Sequence, residues 1–258
     1  MKKLPFKNSI YETAPRKISL FARTFPELSL YSRFLHTVFT ASAKAKQGKY
    51  KDEDWCQNSM DILRALENIG VKVQITGMNH MENLDGPCVV IGNHMSLLEA
   101  LVLPTILQPV RKVTFIVKQS LLDYPVFGHI MRARDPIALS RTNPRQDLKT
   151  VLEGGLERLK RGVSIIVFPQ TTRMHRFDPG QFSTMGVKLA LKANVPIVPL
   201  ALKTNTWGNG KYLKDFGRID PTKPVHFAFD KPVRVQGRGA EEHKAIIQFI
   251  TKKLAEWE

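Results

Sequence analysis

The stretch Cys88-Val89-Val90-Ile91-Gly92-Asn93-His94-Met95-Ser96-Leu97-Leu98-Glu99 sets an imidazole and a carboxylate directly behind a short apolar run. Four apolar residues before a glycine read as a strand buried on both faces, the kind found in parallel sheets covered by helices. His94 then stands at the strand's exit, where a scaffold can hold a base, with Glu99 as its orienting acid, over a bound hydroxyl. Taken alone, the same H-x-x-x-x-E spacing also suits a hydrogen-bonded loop histidine and a solvated glutamate at a helix start.

Outward from this strand, Val71, Val73 and Ile75 alternate with Lys72, Gln74 and Thr76, as in a half-exposed strand. Further short apolar runs occupy 113–117, 137–139, 164–168, 197–202 and 225–229, and helical patterns cover 146–160, 184–192 and 241–257. Strands alternating with helices predict an α/β fold, a mostly parallel mixed sheet flanked by helices. Another helix is expected from Asp52, as N-cap, to a C-cap at Gly70, burying Trp55, Ile62, Leu63, Leu66 and Ile69.

The N-terminal segment has its own character. Residues 1–17 mix Lys, Pro and Arg without periodicity and are expected to form an irregular arm; after Pro26, residues Leu28, Tyr31, Phe34, Leu35, Val38 and Phe39 recur at helical spacing. Such an amphipathic helix either packs on the body of the protein or lies in a membrane interface, its cations Arg16, Lys17, Arg23, Arg33, Lys44, Lys46 and Lys49 meeting anionic headgroups. The first fifty residues hold ten Lys and Arg against two Glu, half of the chain's net +16.

That charge favours an anionic partner: nucleic acid, acidic membrane or phosphorylated substrate. No recognition-helix, zinc or RNA-binding pattern accompanies it, so nucleic acid is not expected. The 258 residues suit one large domain at 51–258 with a docking segment at 1–50. Two cysteines, Cys56 and Cys88, offer neither a disulfide framework nor metal-ligand spacing, and no metal site is expected. No stretch reaches the roughly 18 apolar residues of a spanning helix.

Three later segments give His94 its context: Lys118-Gln119-Ser120-Leu121 running through Pro125 and Gly128 to Ile137-Ala138-Leu139-Ser140-Arg141, then Phe168-Pro169-Gln170-Thr171-Thr172-Arg173, then Val195-Pro196-Ile197-Val198-Pro199 preceded by Phe182 and Gly186. In order and spacing, with Asn93 to Glu99 at their head, these resemble the four blocks of the glycerophospholipid acyltransferases, in particular the 1-acylglycerol-3-phosphate acyltransferases. The match covers about residues 70 to 205.

The resemblance implies transfer of an acyl group from a thioester of coenzyme A or acyl-carrier protein, a co-substrate with no further cofactor, to the hydroxyl of a lyso-lipid at the cytoplasmic face of a membrane. It implies His94 as base and Glu99 as its orienting acid, in the manner of a Ser-His-Asp arrangement without the serine. Lys118, Arg141, Thr172 and Arg173 would bind the acceptor's phosphate, since the arginines can grip it as bidentate forks. Each of these cations is otherwise a surface charge, and His175 and Arg176 beyond them are headgroup contacts or part of a solvated loop. Ser96 suggests a covalent route, but no G-x-S-x-G elbow surrounds it.

Two departures from the family pattern stand out. Glu99 replaces aspartate, moving the carboxylate outward by about 1.5 Å. Gln170-Thr171 replaces Glu-Gly, removing a charge and putting a β-branched residue where glycine has conformational freedom. Another lyso-lipid acceptor, or a catalytically silent lipid-binding relative, are the alternatives these departures raise.

Overall fold

The computed structural model describes residues 1–170, 172–211 and 214–258. A two-residue strand, β1 (Tyr11–Glu12), is followed by helices α1 (Leu20–Thr24), α2 (Pro26–Lys46) and α3 (Asp52–Asn68). Strand β2 (Val73–Thr76), a single turn α4 (Asn79–Glu82), β3 (Val89–Gly92), α5 (Leu98–Leu107), β4 (Val113–Lys118) and α6 (Phe127–Arg132) come next. The chain continues through β5 (Ile137–Leu139), α7 (Pro144–Lys160), β6 (Ser164–Val167), α8 (Met185–Ala193), β7 (Ile197–Lys203), β8 (Val225–Phe229) and α9 (Ala240–Glu256).

The strands form a single sheet in the order β1-β2-β8-β7-β3-β6-β4-β5. From β7 through β3, β6 and β4 to β5 every neighbour is parallel; β8 runs against β7, and β1 against β2. This is the expected mostly parallel mixed sheet. Successive residues of β3 face opposite layers: Val90 joins Leu66 of α3 and Val102 of α5, whereas Val89 and Ile91 join Val151 of α7, Val187 of α8 and Ile250 of α9. An unbroken apolar run is what a strand with two buried faces requires. Gly186 lets α8 come close, since a Cβ there would lie 2.7 Å from Ile91 Cδ1.

Several local expectations change. The arm at 1–17 contains β1, with Tyr11 opposite Ile75; two residues are too short to show a period. Its buried Tyr11 hydroxyl donates to Glu67 Oε1 at 2.6 Å, and Arg16 reaches Glu67 Oε2 at 2.8 Å. Asp52 is the first helical residue of α3 rather than its N-cap: the capping position is Lys51, whose N–H donates to Asp54 Oδ2 at 2.9 Å. Asp52 instead pairs with Arg134 at 2.6 Å. At the other end Ile69 is the cap, and Gly70 follows it at φ +99°. Cys56 and Cys88 are buried free thiols.

Helix α2 packs on the body of the protein with one face and leaves apolar residues exposed on another. Leu30, Phe34, Thr37 and Ala41 are buried in the body of the protein, while Leu28, Leu35 and Phe39 are exposed, as are Leu20, Phe21 and Phe25 just before them. Among the described residues no helix is long and apolar enough to cross a membrane.

Two substitutions in α2 separate these faces. Phe34, 5% exposed, should cost about 3–5 kcal/mol on Phe34→Ala. Leu28, 59% exposed, should shift stability by no more than about 0.5 kcal/mol on Leu28→Ala. Urea unfolding at neutral pH measures both, and equal losses would contradict the two-faced packing.

Candidate active site

The carboxyl ends of the parallel strands share one edge of the sheet, and the loops leaving β3 and β6, which are adjacent, carry the central residues. Asn93 anchors the first loop: its Nδ2 donates to Leu202 O at 2.8 Å and its Oδ1 accepts from Leu202 N at 2.9 Å. That amide ties the end of β3 to β7 just past their ladder, and Gly92 lies against Leu200 O, 3.0 Å from where a Cβ would stand.

His94 follows, its Nδ1 2.8 Å from Glu99 Oε1. The imidazole lies flat on Phe168, with ring centroids 4.6 Å apart and planes 4° from parallel. The main chain of His94 is fixed on both sides: its N–H donates to Gln170 Oε1 at 2.7 Å and its carbonyl accepts from Met174 N at 2.9 Å. Nδ1–H donating to a carboxylate sets the tautomer, leaving the Nε2 lone pair for substrate. The side chain is 18% exposed.

Glu99 is fully buried in the first turn of α5, where a helix N-terminus favours negative charge. Its Oε1 accepts from Met95 N at 2.6 Å and Ser96 N at 2.9 Å, and Thr204 Oγ1 donates to Oε2 at 2.6 Å. Burial pushes its pKa up, but the hydrogen bond and charge of His94, with the bonds from Thr204 and Ser96, outweigh burial and hold it below the ordinary glutamate range. The longer side chain therefore reaches the ring from its place on the helix, and the substitution for aspartate leaves the pair intact. Ser96 Oγ lies 2.9 Å from Glu99 Oε2 and accepts from Leu98 N at 3.1 Å. Enclosed in this network at 1% exposure, it is not presented as a nucleophile.

The other expected residues fall into two groups. Arg173 and Thr172 lie on the loop that braces His94; an Arg173 terminal nitrogen donates to Asp215 Oδ1 at 2.6 Å, and Lys214 Nζ is 3.4 Å from Thr172 Oγ1. Lys118 ends β4 and Arg141 follows β5, on the same edge but farther out. At about 4.8 Å per strand, Arg141 leaves the sheet roughly 14 Å from β3, within reach of a long ligand but not of the dyad. Arg141 stands at φ +61°, and burial pulls its pKa down against the pull of Asp147. His175 and Arg176 are exposed.

Gln170 is 1% exposed and spends its carbonyl oxygen on the backbone N–H of His94, a role that a glutamate oxygen fills equally. Its Nε2 is buried without a partner among the described residues. The change from glutamate thus bears on the support of His94, and Thr171, the second half of that departure, lies outside the described residues. Thr204, Phe168, Asp215 and Asn209, whose Nδ2 donates to Met95 O at 3.1 Å, complete the surroundings. Phe168 heads the third block; the other three carry no local signal, because each meets its partner across a sheet neighbour or a long loop.

The family model described as Acyltransferase matches residues 72–203. A relative from Pseudomonas aeruginosa named 1-acyl-sn-glycerol-3-phosphate acyltransferase is 31% identical over 208 residues, 79% of this chain and 76% of the relative. One from Brassica napus, the chloroplastic 1-acyl-sn-glycerol-3-phosphate acyltransferase BAT2, is 32% identical over 142 residues, 55% of this chain and 39% of its own length. Among solved structures, the 1-acyl-sn-glycerophosphate (LPA) acyltransferase PlsC from Thermotoga maritima superposes with a TM-score of 0.65 at 21% identity. That superposition covers 92% of this chain and 96% of the other, and shows that the fold is shared.

Thr204→Val tests the carboxylate's support, because it removes a donor to a buried charge and should destabilise the protein by about 1–3 kcal/mol at pH 7. Glu99's folded-state pKa is depressed, so its contribution to stability is complete above the unfolded value, about 4.3, and is lost as pH falls through the folded value. The difference between wild type and variant in urea unfolding should therefore narrow on acidification; a constant difference would show that Thr204 does not support the charge.

Proposed function

The chain belongs to the Acyltransferase family, and from that membership we propose that it moves a fatty acyl group from an acyl thioester to the free hydroxyl of 1-acylglycerol-3-phosphate, in phospholipid biosynthesis. The observation that carries the reading is the His94–Glu99 contact at 2.8 Å, beside the loop that bears Arg173.

In the reaction so read, Nε2 of His94 takes the proton of the acceptor hydroxyl while that oxygen attacks the thioester carbonyl. Glu99 stabilises the imidazolium as it forms. The tetrahedral adduct then collapses, the C–S bond breaks, and the sulfur leaves as thiol with the proton returned by the imidazolium. No enzyme-bound acyl group is required, in keeping with the enclosure of Ser96. A base so placed contributes roughly 10²- to 10⁴-fold.

Arg173 supplies the charge for the acceptor's phosphate; Asp215 occupies one terminal nitrogen of its guanidinium, and Thr172 and Lys214 stand alongside. Lys118 and Arg141 line the outer part of the same edge as further anion contacts, for the acceptor or for a phosphorylated donor such as coenzyme A or acyl-carrier protein. The intact dyad favours turnover over a silent lipid-binding role.

The acceptor lives in a bilayer, so the protein must dock there. Leu20, Phe21, Phe25, Leu28, Leu35 and Phe39 form the exposed apolar surface of residues 20–39, among the cations of the N-terminal segment. Large exposed apolar patches mark interaction sites, and an amphipathic helix flanked by Lys and Arg suits peripheral attachment to an anionic leaflet, here the cytoplasmic face.

Release of free thiol from an acyl thioester and a panel of lyso-lipids tests the assignment. His94→Ala should lower kcat by about 10²- to 10⁴-fold with the fold intact. Arg173→Ala should raise KM for the phosphate-bearing acceptor about ten- to hundredfold, with little change in KM for the donor. Full activity of the histidine variant, or equal use of phosphate-free acceptors by wild type, would refute the mechanism or the acceptor respectively.

A further inference from the structure

Between α2 and α3 runs a groove of about 580 Å³ that takes no part in the acyl-transfer site. Ser29, Ser32, Arg33 and His36 line it from α2, and Asp61 and Arg64 from α3. Arg33 lies 3.6 Å from Asp61 and remains 51% exposed. Arg64 is exposed and forms no ion pair among the described residues. At one end Arg16 donates to Asn68 Oδ1 at 3.0 Å, while its other terminal nitrogen is held by Glu67 at 2.8 Å.

The groove's position gives this charge a meaning. At 100° per residue, Ser29, Ser32, Arg33 and His36 stand roughly a quarter turn of α2 away from the exposed stripe of Leu28, Leu35 and Phe39. With that stripe seated at the acyl boundary, the mouth of the groove opens at headgroup level. The Arg33 and Arg64 guanidiniums, the Ser29 hydroxyl and the His36 imidazole are donors for a phosphate with three free oxygens, which would take Arg33 over from Asp61.

We propose that this groove binds the phosphomonoester headgroup of an anionic lipid in the leaflet on which the protein docks. The proposal rests on the docking reading of α2. A phosphomonoester carries about −1.5 to −2 charges near neutral pH, against −1 for a phosphodiester, and offers one more terminal oxygen. The proposed product of the reaction, a diacylglycerol phosphate, belongs to this headgroup class, so the groove holds the enzyme on membrane where its product accumulates.

Binding to vesicles of matched surface charge, one set containing a phosphomonoester lipid and the other a phosphodiester lipid, tests the site. Wild type should prefer the phosphomonoester vesicles several-fold, and Arg33→Gln with Arg64→Gln should bring the ratio of affinities close to one. Lys17→Gln with Arg23→Gln, the same charge change outside the groove lining, should weaken binding to both sets and keep the ratio. No preference in wild type, its survival in the groove variant, or its equal loss in the control pair would overturn the proposal. Inorganic phosphate in excess should compete for the same donors; its tight binding to wild type without vesicles, lost in the groove variant while that variant keeps its vesicle preference, would assign the groove to free phosphate and overturn the proposal. Leu28→Ser with Phe39→Ser should weaken binding to both vesicle sets; normal binding by that variant would remove the docking reading itself, whereas a defect there with an unaltered groove variant would remove only the headgroup site.

Discussion

A carboxylate with no exposure to water has to be surrounded by donors, and much of the site's construction follows from Glu99 meeting that demand. The turn after β3 folds back so that the N–H groups of Met95 and Ser96 point at Glu99, which itself sits in the first turn of α5. Thr204 arrives from the end of β7, the parallel neighbour of β3. With these donors in place the carboxylate stays ionised, and an ionised carboxylate can hold Nδ1–H of His94 and leave Nε2 basic. In the proposed chemistry this acid acts only through His94.

The same economy is visible on the other side of the imidazole. Phe168, the residue after β6, supports the ring face, and Gln170 two residues later supports the backbone beneath it. Because β3 and β6 are adjacent and parallel, their exits are side by side, and one loop serves as wall and brace for the other. Arg173 comes from that second loop, so the segment that positions His94 also carries the cation proposed to meet the acceptor. A second cation set, between α2 and α3, is built on the helix whose apolar stripe faces outward.

Most strands were legible in the sequence because the information is local. Apolar runs at 113–117, 164–168, 197–202 and 225–229 coincide closely with β4, β6, β7 and β8, since a strand buried on both faces needs consecutive apolar residues. Ambiguity entered where a residue's partner was remote or an element was short. The stripe of α2 was readable as a stripe, yet which residues pack and which remain outside was set by the positions of α3 and α6. The first residue of α3 was displaced because Asp54, three residues beyond Lys51, takes the capping bond, and Asp52 is drawn to Arg134, 82 positions away.

What the sequence by itself determined is the alternation of strands and helices, the placement of His94 behind a buried strand, and the four ordered blocks that mark an acyltransferase. Periodicity encodes the first two because they depend on neighbours within a few residues, and the blocks point to an acyltransferase through their resemblance to that family. The tertiary structure alone decided the order β1-β2-β8-β7-β3-β6-β4-β5, the bracing of His94 by Gln170, the approach of Thr204 to Glu99 and the pairing of Arg173 with Asp215. Those contacts join residues tens to more than a hundred positions apart, and only strand pairing, which costs chain entropy and leaves no local pattern, brings them together.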